Sequence, residues 1–292
     1  MTSLVSLVKR NLKVFFRDRT LVFFSLLSIL IVVILYALFL QKMQVDSIGK
    51  VTGVTPEIEI MVNEWLVAGL LSMVAVTATL GAFSVMVQDI QTKVTADFLT
   101  APISRPSLLL SYVFSAFIVG IIFTFIALLG SQLYLVATGG NWFSFHVLYK
   151  MIGILLLSVF LASMFNLFII QFVKSQGAFS TLSTIVGTLI GFLCGVYVPL
   201  GLLPTFAQNL IMYFPISHTT VLLRDVIMND SIQTVFKDAP IDFVENYKLD
   251  FGVIYEMNGV LISSTVNILI ILVTAIVLCF VSILIFKRRG AF

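Results

Sequence analysis

The side chains able to do acid–base, nucleophilic or metal chemistry are few in this 292-residue chain, and they do not converge. There are 17 lysines and arginines, 14 aspartates and glutamates, two histidines and two cysteines. His146 and His218 stand far apart, so no HExxH pair is available to hold zinc. No GxxxxGK[ST] run is present, so the chain does not bind ATP through a loop of that kind. Cys194 and Cys279 lie inside apolar runs and read as small buried hydrophobes. Two polar groupings are left. One is QDIQTKVTADFLTAPISRPS, residues 88–107, which carries Asp89, Lys93, Asp97 and Arg105. The other is His218, Arg224 and Asp225, thin for catalysis. The first reads better as a handle than as a catalyst. Val94, Phe98 and Ala101 fall on one helical face, and Pro102 and Pro106 stop the helix.

The elements that must position these groups are membrane helices. The composition is 60% hydrophobic and 11% charged, with a mean hydropathy of +1.12, whereas soluble domains carry roughly 25% charged residues. Apolar runs long enough to span a bilayer are expected at 21–40, 64–87, 108–137, 150–173, 177–199 and 259–286. Trp65 is expected as an interfacial anchor at the edge of the second run. The fold class is therefore an all-α polytopic membrane protein with six transmembrane helices in a single domain. Residues 1–20 add an amphipathic helix, with Leu4, Val8, Leu12 and Phe16 on one side and Lys9, Lys13 and Arg17 on the other. That pattern suits a helix lying in the membrane interface, or a plain basic flank.

Charge sorts by side. The face bearing both termini collects Lys9, Arg10, Lys13, Arg17, Arg19, Lys93, Arg105, Lys174, Lys287, Arg288 and Arg289, against Asp18, Asp89 and Asp97. The other face holds six cations and eleven carboxylates. The excess of cations makes the first face cytoplasmic, in a plasma-membrane protein. All charged residues are expected outside the six apolar cores. Ion-coupled transporters and voltage sensors need such groups within the membrane, so neither class fits.

The polar groups inside the runs are neutral, and they suit either helix–helix hydrogen bonds or a weakly polar path for an amphiphile. The fifth run is rich in small and hydroxyl residues. Thr77, Ser84, Ser180, Thr184, Gly187 and Gly191 are candidates for a substrate path or a dimer seam, Gly187, Gly191 and Gly195 being spaced for close helix approach. After it, Pro199, Pro204 and Pro215 break the chain around a short apolar helix, 202–214. A second short helix, 217–228, carries His218, Arg224 and Asp225. The first is too short to cross, so the outer region 200–257 is expected to contain a re-entrant helical hairpin.

TADFLTAPISRPSLLLSY resembles the cytoplasmic coupling segment, ending in a "tPisR"-like turn, of type-2 ABC exporter permeases. GVYVPLGLLP followed by FPISHTTVLLRD is similar to that family's proline-bounded exit helices, with Phe214 as a departure where a small polar residue is common. The resemblance covers essentially the whole chain. It implies a non-enzymatic permease half-transporter, paired with a second, identical permease and with two copies of a separate ATPase that binds ATP and magnesium. No cofactor would be bound by this chain. It implies coupling contacts at Asp97, Phe98, Leu99, Pro102 and Arg105, with Lys9, Lys13 and Arg17 of the first helix. It implies an outer gate at Pro199, Pro204, Pro215, His218, Arg224 and Asp225. By analogy with the drug and haemolysin-type branch, the cargo is a hydrophobic or amphipathic compound. Other readings stay open: a glycolipid or polysaccharide permease, a non-transporting assembly or immunity protein, or a membrane enzyme.

Overall fold

The computed structural model describes residues 2–20, 22–23, 34, 41–52, 55–100, 103–257 and 259–289. The expected first span, 21–40, lies almost wholly outside these residues, as do Ala101, Pro102 and the side chain of Leu99.

The bundle is built around α3, Pro56–Ala82. This helix is apolar on every side, and a helix of that kind needs protein on every side. Its most apolar window is 89% buried. Pro56 opens it, with Glu57 and Glu59 in the first turn where the helix dipole favours anions. Against α3 pack α6, Arg105–Ala137, and α7, Phe145–Ile170. Both start at serine caps: Ser104 Oγ accepts from the Ser107 N–H, and Ser144 Oγ from the Val147 N–H. Helices α8, Gln176–Leu193, and α13, Ser264–Arg289, lie further out and keep large apolar faces uncovered. Among the described residues five helical segments are long and apolar enough to cross a membrane, and a bent pair makes a sixth candidate.

Two helical extents differ from those expected. The second span does not end at 87. After a break at Phe83 it continues as α4, Ser84–Gln91, so Gln88 and Asp89 belong to the span and not to the polar connector. Hydropathy ends a span at a carboxylate, but a carboxylate with a bonded partner can stay on a packed helix. The connector helix is only α5, Val94–Thr100. Second, the polar stretch after the first run contains α2, Gln41–Thr52, which buries Val45 and Ile48.

The bent pair is α9, Thr205–Tyr213, and α10, Ser217–Ile227, which meet at 89° across Pro215. Only α9 is peripheral. Helix α10 is buried along nearly its whole length between α3, α7 and α13. The remaining elements are α11, Asn229–Val235, α12, Ile241–Asp250, and a two-residue antiparallel pair, β1, Glu256–Met257, with β2, Val260–Leu261.

Helices α3, α6 and α7 approach closely where Gly120 faces Thr79 and Val159. A Cβ at Gly120 would fall 2.5 Å from Thr79 Cγ2 and 2.6 Å from Val159 Cγ1. One step away, the Asn166 amide donates to Val76 O at 2.9 Å and to Thr79 Oγ1 at 2.8 Å, pinning α7 to α3. Gly120→Val is expected to overpack this junction and destabilise the protein by about 1–3 kcal/mol. A lowered unfolding temperature in detergent, set beside an unchanged Gly130→Val whose site is open, checks it.

Candidate motor-docking end and outer cap

Asp89 organises one end of the bundle. It sits at 3% exposure on the last turns of α4. Arg10 of α1, Thr2–Arg17, grips it with both terminal nitrogens: Nη2 donates to Oδ1 at 2.7 Å and Nη1 to Oδ2. The Tyr112 hydroxyl of α6 donates to Oδ2 at 2.7 Å. Next to it the Asn11 amide donates to Ser111 Oγ at 3.2 Å. Hydrogen bonding to Asp89 raises the Arg10 pKa, against the lowering effect of burial. Fork-to-carboxylate pairing of this kind fixes geometry as well as charge.

The same guanidinium lies over the Phe98 ring of α5, 5.5 Å from its centroid. Arg10 thus ties the short connector helix to the first helix, and through Asp89 to two spanning helices. Between α4 and α5, Lys93 takes a left-handed backbone, φ 62°, unusual for a residue with a Cβ. It sets a sharp joint between the span and α5. Asp97 and Arg105 are exposed at this end, and Phe98 is half-buried. An open pocket of about 390 Å³ lies between α4 and the start of α8, lined by Ser84, Gln88, Gln91, Gln176 and Phe179 among others. Gln91 Oε1 accepts from the Gln176 N–H at 2.7 Å, tying α8 to α4.

The face of α1 differs from its helical wheel. Leu7, Asn11 and Phe15 are buried, while Phe16 of the expected apolar stripe is 39% exposed. The wheel placed Asn11 outside the apolar face. Its bond to Ser111 lets the helix roll so that Asn11 faces α6.

The opposite end is held by Arg224. Sequence hydropathy placed it outside the packed spans, but it is 3% exposed and lies inside the protein. Nη2 donates to Gly195 O at 2.7 Å, at the end of α8, and Nη1 to Phe251 O at 2.9 Å, at the end of α12. The guanidinium stacks on Trp65 of α3, 4.4 Å from the ring centroid. Trp65 Nε1 also donates to Phe251 O, at 2.7 Å. Trp65 is therefore wholly buried and is not the interfacial anchor expected of it. Gly195 and Gly252 both have left-handed backbones, φ 60° and 61°, and a Cβ on either would crowd the guanidinium at 3.3 and 3.0 Å. His218 is also buried, its Nδ1 2.6 Å from Asn267 Oδ1 of α13. Asp225 is half-exposed, and Ser264 Oγ donates to it at 3.2 Å. Pro199 precedes a single 3-10 turn, Pro204 precedes α9, and Pro215 sits in the bend.

A family model for ABC-2 type transporters matches residues 2–228. The chain belongs to the ABC-2 type transporter family. A search of curated proteins finds no match. The matched region takes in the Arg10–Asp89 network, α5 and all of α10. This ABC-2 protein is therefore a multi-pass membrane permease subunit of an ABC transporter, a family that normally works with an ABC ATPase.

On α8 of this permease, Ser180 and Thr184 are exposed and nothing lies within 4 Å of a Cβ at Gly187. Gly191 instead packs under the Tyr197 ring of its own chain. Thr77 returns its hydroxyl to Met73 O at 3.1 Å. Sequence reasoning had named neither Arg10 nor Tyr112 as a site residue. The available signal was a carboxylate, Asp89, at the edge of an apolar run in a chain poor in charge.

Arg224→Lys keeps the charge but loses the planar fork and its stacking. It is expected to cost about 1.5–3 kcal/mol, read as a lower unfolding temperature. Trp65→Phe retains the ring and removes one donor, and should cost about 1 kcal/mol.

Proposed function

We propose that this permease moves a hydrophobic or amphipathic compound, of the drug, toxin or lipid-like class, out of the cytoplasm or inner leaflet. Two copies of the chain form the transmembrane unit, and two copies of a separate ATPase supply the work. The end bearing α1 and α5 faces the cytoplasm, in line with its excess of cations. ATP and magnesium are held by the ATPase.

One observation carries the reading: the Phe98 ring of α5 lies against Arg10, whose other side is bonded to Asp89 on a spanning helix. A push on α5 from below reaches the spans through hydrogen-bonded and stacked contacts, without a flexible link. In this reading Phe98 and Asp97, with Arg105 and the neighbouring Leu99 and Pro102, meet a cleft in the ATPase. Closure of the ATPase dimer on ATP shifts α5, and the Lys93 joint and α4 follow. The pocket beside Ser84, Gln88 and Gln176 admits the cargo from the cytoplasmic side. The exposed hydroxyl face of α8 at Ser180 and Thr184 lines its path, or the seam with the second permease at Gly187. The bend at Pro215 and the Arg224 cage close the outer end.

Affinity purification in mild detergent is expected to bring down an ATP-hydrolysing subunit with the chain. Phe98→Ala should lower export roughly tenfold, the size expected for an aromatic anchor at an interface, with normal membrane insertion and with ATP hydrolysis retained by the partner. Export at the native rate in this variant, or purification that yields no ATPase, would refute the coupling role.

A further inference from the structure

Helix α1 has three faces, and packing accounts for one. Leu7, Asn11 and Phe15 are buried against α6. Round the helix in one direction comes an apolar shoulder, where Val5 is 53% and Phe16 39% exposed. Next to that shoulder come Lys9, Lys13 and Arg17, all three exposed. Among the described residues, none of these three cations makes an ion pair. An open groove of about 360 Å³ runs along this side, lined by Ser6, Lys9, Arg10, Lys13, Val14 and Arg17. Among the described residues no acidic side chain lines it.

The depth of α1 decides what meets these faces. Asn11 is bonded to Ser111 of α6, and the Phe15 ring meets Phe123 edge-on with centroids 6.0 Å apart. Arg10 is bonded to Asp89 at the end of α4, and Asp18, just past α1, lines a pocket with Gln91, Thr92 and Gln176, so the first helix lies across that end of the spans. A helix at that level has lipid headgroups beside it.

We propose that the basic groove of α1 is a binding site for an anionic phospholipid of the inner leaflet. The phosphate sits among Lys9, Lys13 and Arg17, and an acyl chain lies along the Val5–Phe16 shoulder. The three cations match a phosphate that carries net charge, and a zwitterionic headgroup offsets much of that attraction with its own ammonium. The site goes beyond the coupling reading and does not need it, because the lipid is held without nucleotide or cargo. Its consequence is mechanical: the bound lipid fixes the helix that presents Arg10 to Asp89 and Phe98.

The test is native mass spectrometry of the full chain, purified into an equal mixture of phosphatidylglycerol and phosphatidylcholine. Phosphatidylglycerol is expected to be retained preferentially. The triple variant Lys9→Gln, Lys13→Gln, Arg17→Gln should lose that preference. Three cations at roughly 1 kcal/mol each near an anionic surface correspond to roughly a hundredfold in affinity. Lys237→Gln with Lys248→Gln, at the far end of the protein, should keep the preference and controls for folding. Phe16→Ser should weaken retention of the intact lipid and leave weak binding of glycerophosphoglycerol, the headgroup alone, unchanged. Equal retention of the two lipids, persistence of the preference in the triple variant, or displacement by inorganic phosphate would each overturn the assignment. So would a photo-crosslinker at position 13 that labels the ATPase in the assembled transporter and leaves lipid unlabelled, since that face would then belong to protein.

Discussion

A carboxylate at the end of an apolar helix is tolerable only if other groups complete it. Asp89 is such a carboxylate, and its completion ties four elements together. Arg10 supplies the counter-charge from α1, Tyr112 a hydroxyl from α6, and the far side of the guanidinium meets Phe98 of α5. Removing one partner would leave a buried charge or a buried polar group unsatisfied, which is why the cluster behaves as a unit. The elements that belong to the expected motor-facing surface are thereby joined to those that cross the membrane.

The opposite end obeys the same rule with different chemistry. Arg224 is surrounded by backbone carbonyls at Gly195 and Phe251 and by the Trp65 ring. Carbonyls at the ends of α8 and α12 lack partners within their own helices, and a guanidinium can serve several at once. One side chain thus closes two helix ends and fastens them to α3. The glycines on either side exist in left-handed turns because that is how the carbonyls are brought to face it.

Between these two ends the protein is a layered membrane bundle. α3 is enclosed, α6 and α7 are half enclosed, and α8 and α13 present broad apolar faces. As a permease of the ABC-2 family it has an interior able to rest on van der Waals fit and neutral hydrogen bonds, such as that from Asn166 to Thr79. Charge is concentrated at the two ends of the bundle, either exposed or, as at Asp89 and Arg224, enclosed with partners.

The class of the protein was legible in the amino-acid order, because long apolar runs and a lopsided distribution of cations follow from the bilayer itself and need no knowledge of contacts. The short helix around Phe98 and the proline-broken pair before and after Pro215 were legible too, since proline and helical spacing act locally. What the order could not provide was which charged groups are enclosed. Asp89, Arg224 and Trp65 each look like surface or interface residues when read one at a time, for burial of a polar group depends on partners far away in the chain. Asp89 needs Arg10, 79 residues off, and Arg224 needs Phe251 and Gly195, 27 and 29 residues off. The roll of α1 that buries Asn11 against Ser111 was hidden for the same reason. Hydropathy ranks residues by their cost in the absence of partners, and only the tertiary structure supplies the partners that reverse it.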